Sequence, residues 1–239
     1  MMRLDQYLCQ FLGVESRNKA LQLIRSKSIL VNSVVVTKPS QRITEKDQVE
    51  KIADLPFVSR GGQKLLTAIQ QASLSILEKD CIDVGASTGG FTDCMLQHGA
   101  KRVLAIDVGH QQLHPTLRND SRVTVMEHCD IRHLSTPPFL ADFLAVDLSF
   151  VSITLCLESI ANLMKVNARA VFLLKPQFEA GLLGYKRDYI PLGDIRNRVI
   201  GHCCVQIEKH FHIEMRFPSP IPGAKKGNIE ELIIVEKQS

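Results

Sequence analysis

Residues 83–93 read Asp83-Val84-Gly85-Ala86-Ser87-Thr88-Gly89-Gly90-Phe91-Thr92-Asp93 and run on from the end of an apolar burst at 81–84. Small residues let the backbone come close to a ligand, and a helix starting after them turns its first amides toward it. The stretch is not the glycine-rich turn that cradles a pyrophosphate in dinucleotide-binding folds, since it lacks the GxGxxG spacing. An acidic residue precedes its first glycine and its middle is Ser/Thr-rich. Asp83 would repel a pyrophosphate and attract a cation.

Outward from this loop, apolar bursts recur at 81–84, 103–106, 123–126, 143–146, 170–174 and 232–235, with helix-length segments between most of them. That alternation predicts an α/β fold, a mostly parallel Rossmann-like sheet with helices on both faces. Ligands of such sheets bind beyond the carboxyl ends of the strands. The second burst ends at Asp107, where a carboxylate can accept both hydroxyls of a ribose. The third leads to Asp130, placed to accept an adenine amino group, with Ile131 to pack on the ring. A single Asp after a strand is ordinarily a cap or turn residue; three at successive strand ends, the first beside a small-residue loop, point to a nucleoside. S-adenosylmethionine carries both an adenosine and cationic amine and sulfonium groups, so the sign of Asp83 favours it over NAD. Ala86, Thr88, Gly89, Gly90, Phe91 and Val108 complete the expected cofactor set with Asp83, Gly85, Ser87, Asp107, Asp130 and Ile131.

The fourth burst ends in Ala145-Val146-Asp147-Leu148-Ser149-Phe150, which lacks the Pro-Pro-aromatic run common in methyl transfer to amines. The fifth ends in Leu173-Leu174-Lys175-Pro176. A lysine at a strand end usually reaches for water, but Lys64, before the first strand, and Glu230, before the last, change its meaning. Two lysines and two carboxylates suit methyl transfer to a ribose hydroxyl, a poor nucleophile until its proton is removed or shared. A lysine beside a second cation, partly withdrawn from water, sheds its proton more readily. Lys175 is then the base, with Asp147 and Glu230 orienting the ammonium groups. No metal is required.

The ends of the chain differ in charge. Residues 1–42 hold seven basic and two acidic residues, +5 of an overall +4, so the remainder is near neutral at −1. A basic head on a neutral body suggests a module that meets a polyanion. Leu4 and Leu8 start a short helix that Gly13 ends. Ser16 caps a second helix with Ala20, Leu21 and Ile24 facing inward, and Ile29-Leu30-Val31, Asn32-Ser33, Val34-Val35-Val36 reads as a hairpin. Arg3, Arg17, Lys19, Arg25, Lys27, Lys38 and Arg60 are the candidate phosphate contacts, whereas Lys186, Arg187, Arg196 and Arg198 read as a solvated face, with RNA contact as the alternative. Pro56 marks a connector at 51–58. No apolar run of membrane-spanning length occurs, the N-terminus lacks a signal-peptide core, and the seven cysteines form no CxxC pair. A reduced, cytoplasmic protein without a disulfide framework or metal site is expected.

The run RLDQYL…SRNKALQLIRSKSILVN…KPS resembles the S-four-type RNA-binding module, departing at Ser28 and Ser33, where glycines are common. VSRGGQKL, DVGASTGGFTD, AIDVG, VDLSFVS, LLKPQFE and GNIEEL, in this order behind that head, resemble the TlyA family, itself similar to FtsJ-type ribose methyltransferases. The resemblance implies an S-four-type domain at 1–50, a linker at 51–58 and a methyltransferase domain at 59–239. It further implies Lys64, Asp147, Lys175 and Glu230 as catalytic tetrad and S-adenosylmethionine as cofactor. The implied substrate is cytidine in the ribosomal RNA of assembled subunits, and the short C-terminal end points to the large subunit. Leu55-Pro56-Phe57-Val58 stands where some relatives have Arg-x-Trp-Val, and Asp130-Ile131-Arg132 where some have Asn-Ala-Arg. A non-catalytic RNA-binding assembly factor and a membrane-active haemolysin are the rival readings; no amphipathic or spanning segment supports the second.

Overall fold

In the first residues of the chain, Leu4 and Leu8, one helical turn apart, put two large side chains on one face. The computed structural model, which describes residues 1–26, 28–52, 56–134, 136–185, 189–223 and 228–238, buries both completely. Lys27, Leu55, Lys186 and Arg187 lie outside the described residues. The chain divides into two units, Met1–Ser59 and Arg60–Ser239.

In the first unit, β1 (Met2–Arg3) leads into α1 (Leu4–Phe11) and α2 (Arg17–Arg25). Ser16 caps α2, its hydroxyl accepting the amide of Lys19 at 3.2 Å. The inward face of α2 is Ala20, Leu23 and Ile24 rather than Leu21, which is half-buried. Positions three and four along from Ala20 share its face, whereas its immediate neighbour is turned by about 100°. β2 (Ile29–Val31) and β3 (Val34–Val35) form the hairpin, with Asn32 and Ser33 at φ 52° and 65°. Two consecutive left-handed residues give a turn whose twist matches that of the strands. Ser33 therefore adopts a conformation for which glycine is the easier residue. β4 (Arg42–Ile43) pairs with β1, and β5 (Val49–Lys51) pairs with β2 on the side opposite β3. Leu8, Leu23, Ile24, Ile29 and Ile43 fill the core between helices and strands.

The second unit begins with α3 (Arg60–Gln71), followed by β6 (Asp80–Val84), α4 (Gly90–Gln97) and β7 (Arg102–Ile106). Next come α5 (Pro115–Arg118), β8 (Val123–Met126), β9 (Ala141–Val146), α6 (Leu157–Asn162) and β10 (Met164–Leu174). α7 (Pro176–Glu179), α8 (Asp194–Ile207), β11 (Phe211–Pro218) and β12 (Glu231–Lys237) complete it. Among the described residues one seven-stranded sheet forms, in the order β11-β12-β10-β9-β6-β7-β8. The strands from β10 to β8 run parallel, and β12 is antiparallel to both its neighbours. β11 is absent from the expected strands: only Phe211 along it is fully buried and the rest lies at the sheet edge, so it has no continuous apolar run.

Ile82, Leu104, Leu144, Phe172 and Ile233 pack with Ile160 of α6 and Ile200, Cys203 and Ile207 of α8. The alternate positions Cys81, Val103, Phe143 and Val171 are buried on the opposite face, while α3 and α4 pack on each other. From β6 the chain moves outward through β7 to β8, then crosses back to β9 on the other side of β6. The strand order reverses between β6 and β9, which opens a crevice at their carboxyl ends.

Candidate active site

The crevice is a cavity of about 380 Å³, within the range of small-molecule sites. Gly85 and Ser87 after β6, Asp107 and Val108 after β7, Asp130 and Ile131 after β8, and Asp147 to Val151 after β9 line it. Gly85 has φ 84°, and a Cβ there would stand 2.5 Å from the Asp147 carbonyl oxygen. Only glycine lets the loop pass so close to the end of β9.

Asp107 accepts the amides of Ser87 at 2.8 Å and Gly109 at 2.6 Å, one on each oxygen. Its carboxylate thereby ties two cavity loops together, and each oxygen retains a second lone pair for a ligand. Asp130 caps the short helical turn Ile131–His133 by accepting the Arg132 amide at 3.0 Å, and the Arg132 guanidinium lies against it at 2.5 Å. The Arg132 hydrogen bond is the chief cause of an Asp130 pKa of about 2. Arg132, Gln112, Cys129 and Phe150 also line the cavity, and nothing in the strand-end pattern singled them out.

Six expected cofactor residues do not line it. Asp83 is fully buried, accepting the amide and hydroxyl of Thr92 at 2.8 and 2.6 Å, and its Oδ1 has no hydrogen-bond partner among the described residues. Burial above all pushes its pKa up to about 7 against the Thr92 bonds. Ala86, Gly89, Gly90 and Phe91 are buried and Thr88 is exposed. Gly89 takes φ 95° immediately before α4, where a Cβ would strike Leu117. These residues shape the loop rather than the cavity wall.

The four residues of the expected tetrad lie toward one end of the sheet, in two pairs. Leu174 of β10 pairs with Glu231 of β12, so Lys175 and Glu230 leave their strands side by side. Glu230 receives a buried hydrogen bond from Lys64 of α3. Lys175 Nζ lies 2.5 Å from Asp147 Oδ1. That contact is an ion pair off the directions of a hydrogen bond; the directed bond of Lys175 goes to Ser149 Oγ at 2.6 Å.

The segment carrying Glu230 is braced from several sides. The Ser219 amide donates to the Glu230 carbonyl at 2.8 Å, and a Cβ on Gly223 would stand 2.8 Å from Glu230 Oε1. Arg196 of α8 donates to the Ile229 carbonyl at 3.3 Å and pairs with Glu231. Arg196 is therefore buried and structural, which corrects its reading as a solvated face; Arg198 is exposed. The periodicity of α8 shows only that an arginine is present, whereas its burial depends on Glu231, 35 residues away.

In the basic head, Arg3 and Arg17 both bond Asp5, each at 2.9 Å. Arg3 chiefly, with Arg17, holds the carboxyl of Asp5 below its usual range despite burial. Lys19 is half-exposed, and Arg25 and Lys38 are exposed. Arg60 opens α3 in the second unit, and Lys27 is outside the described residues. No helix among the described residues is long and apolar enough to cross a membrane.

Comparison with known proteins follows the same division. Residues 57–237 match the FtsJ-like methyltransferase family and residues 2–49 the S4 domain. Hemolysin A of Brachyspira hyodysenteriae is 40% identical over 236 residues, covering 97% of this chain and 98% of that protein. The 16S/23S rRNA (cytidine-2'-O)-methyltransferase TlyA of Mycobacterium tuberculosis is 36% identical over 248 residues, covering 99% and 90%. A solved structure named "Putative hemolysin from Streptococcus thermophilus" is similar with TM-score 0.76 and 36% identity, over 99% of this chain and 88% of that one. By sequence over most of its length and by the architecture around its cavity, the chain belongs to the FtsJ-like methyltransferase family, with an S4 domain ahead of the methyltransferase fold.

Proposed function

We propose that the protein methylates the 2′ hydroxyl of a cytidine in ribosomal RNA, with S-adenosylmethionine as donor. The observation that carries this reading is Lys175, set beside Asp147 at the cavity and beside the Lys64–Glu230 pair. The residues fit the donor: the carboxylates of Asp107 and Asp130 beyond β7 and β8 suit its cationic and hydroxyl-bearing parts, and the buried Asp83 carboxyl stands behind the wall with Oδ1 unpartnered among the described residues. Asp107, Asp130 and Ile131 would hold the adenosine. When bound, the cofactor supplies a methyl group on positively charged sulfur.

Lys175 in its neutral form accepts the proton of the ribose hydroxyl as that oxygen takes up the methyl group. Asp147 stabilises the ammonium that results, and the Lys64–Glu230 pair adds a second fixed cation near the developing alkoxide. The strand ends hold these groups in place, and positioning of this kind supplies much of the rate in such transfers.

The test incubates wild-type protein with each purified, unmethylated ribosomal subunit and labelled cofactor, followed by mapping of 2′-O-methyl sites. The large subunit is the acceptor expected from the resemblance; the small subunit is included because the M. tuberculosis relative's name covers both RNAs. Lys175→Ala should abolish transfer while calorimetry still shows cofactor binding. Cofactor binding by wild-type protein without transfer to either subunit would favour a non-catalytic assembly factor. Unchanged turnover of Lys175→Ala would remove Lys175 from the mechanism.

A further inference from the structure

A neutral lysine amine bonded to its Cε has two hydrogens and one lone pair, and only the lone pair can take a proton from a hydroxyl. Turning the amine about its Cε–Nζ bond moves that lone pair around a cone, so a general base needs something to stop the rotation. The Asp147 contact holds the protonated Lys175 close by charge, but it lies off the hydrogen-bond directions, so it leaves the rotation loose and loses its charge attraction once the amine is neutral. The hydrogen bond from Lys175 Nζ to Ser149 Oγ, 2.6 Å, is directional.

Ser149 lies two residues past Asp147, on a loop anchored at its far end. Glu179 accepts the Ser152 hydroxyl and the Ile153 amide, the latter at 3.0 Å. Glu179 ends α7, the short helix that begins immediately after Lys175. The loop and the helix are thus tied twice, by Lys175 to Ser149 at one end and by Glu179 to Ser152 and Ile153 at the other. Phe150 and Phe178 add a ring contact between these ties, with centroids 5.1 Å apart. The Glu179 carboxylate is buried and also receives the Cys203 thiol of α8, so the clamp is fixed to the body of the fold.

We propose that Ser149 is a positioning residue for Lys175: its hydroxyl sets the direction of the amine, and Glu179 holds its loop in register with α7. This inference rests on the assignment of Lys175 as the base in ribose methylation. Ser149→Ala removes the directed bond and leaves the Asp147 ion pair. Single-turnover transfer to ribosomal subunits should then fall roughly ten- to hundredfold, the range for losing a hydrogen bond to a charged group or the alignment of a reacting one. The KM for the subunit should stay within about twofold, as expected for an interaction that acts in the transition state. Ser149→Thr keeps a hydroxyl and should recover most of the rate, which a packing role for the side chain would not produce.

A second measurement needs no methyl acceptor. Acetylation of Lys175, followed by peptide mass spectrometry with the exposed Lys46 as internal reference, reads the availability of the amine. It should quicken in Ser149→Ala and return toward wild type in Ser149→Thr. If wild-type protein methylates neither subunit but the acetylation change is seen, the Ser149–Lys175 bond stands and the assigned acceptor falls. If transfer proceeds and both turnover and acetylation are the same in Ser149→Ala, the proposal is overturned.

Discussion

Asp83 lies buried between the end of β6 and the first turn of α4, with one oxygen bonded to Thr92. Burial raises its pKa from 3.8 to about 7. Between those values the folded chain keeps a proton that the unfolded chain has released. Asp83 therefore costs stability progressively as pH rises through this window, and the full cost is present above it. Asp83→Asn removes that dependence. From pH 5 to pH 8, the stability of the variant relative to wild type should shift in its favour by about 3 kcal/mol, read from denaturant unfolding at the two pH values. An unchanged difference would mean that Asp83 remains ionised in the fold. The acidic character of this position is legible in the loop sequence, but its burial is not. A strand-end aspartate reads identically whether it faces the ligand or caps the following helix, and here it caps the helix from behind the cavity wall.

At the scale of elements, α8 shows how a helix distant in sequence braces the segment that carries Glu230. Arg196 bridges the Ile229 carbonyl and Glu231 on either side of Glu230. Arg196→Met should destabilise the protein by about 3–5 kcal/mol, since it leaves Glu231 buried with only the longer contact to Arg216 at 3.9 Å. Adding Glu231→Gln should recover much of that loss; if the double variant is no more stable than the single one, the pair is not the source of the effect. The parallel strands β6, β7 and β9 are readable in sequence because both faces are buried and their apolar runs are continuous. β11 is not, because an edge strand with one wetted face breaks its run with His212, Glu214 and Arg216. The hairpin turn is marked by Asn32-Ser33, yet its left-handed conformation at Ser33 is imposed by the pairing of Val31 with Val34.

For the whole molecule, the basic N-terminal unit carries unequal candidates for RNA contact. Arg3 and Arg17 share Asp5, so part of their charge is already spent within the fold, whereas Arg25 and Lys38 are exposed. Ribosomal-subunit binding measured across salt concentrations should show this difference. Arg25→Ala and Lys38→Ala should each lower the slope of log affinity against log salt by about 0.7–1. Arg3→Ala should act chiefly through stability, by leaving Asp5 with one partner. If the Arg25 and Lys38 variants bind with unaltered salt dependence, the exposed basic residues do not meet phosphate.

The chain's alternation of apolar bursts and helix-length segments determined the parallel sheet, and acidic residues at or beyond three strand ends pointed to the sheet edge where the cavity lies. Local order along the chain carries such information because strand ends and the loops after them are contiguous in sequence. Only the tertiary structure decided which of those acids face the cavity and which groups contact Lys175. It also decided that Arg196 is interior. These outcomes depend on strand order and on partners tens to more than a hundred residues away, as with Lys64 and Glu230, which no local pattern encodes.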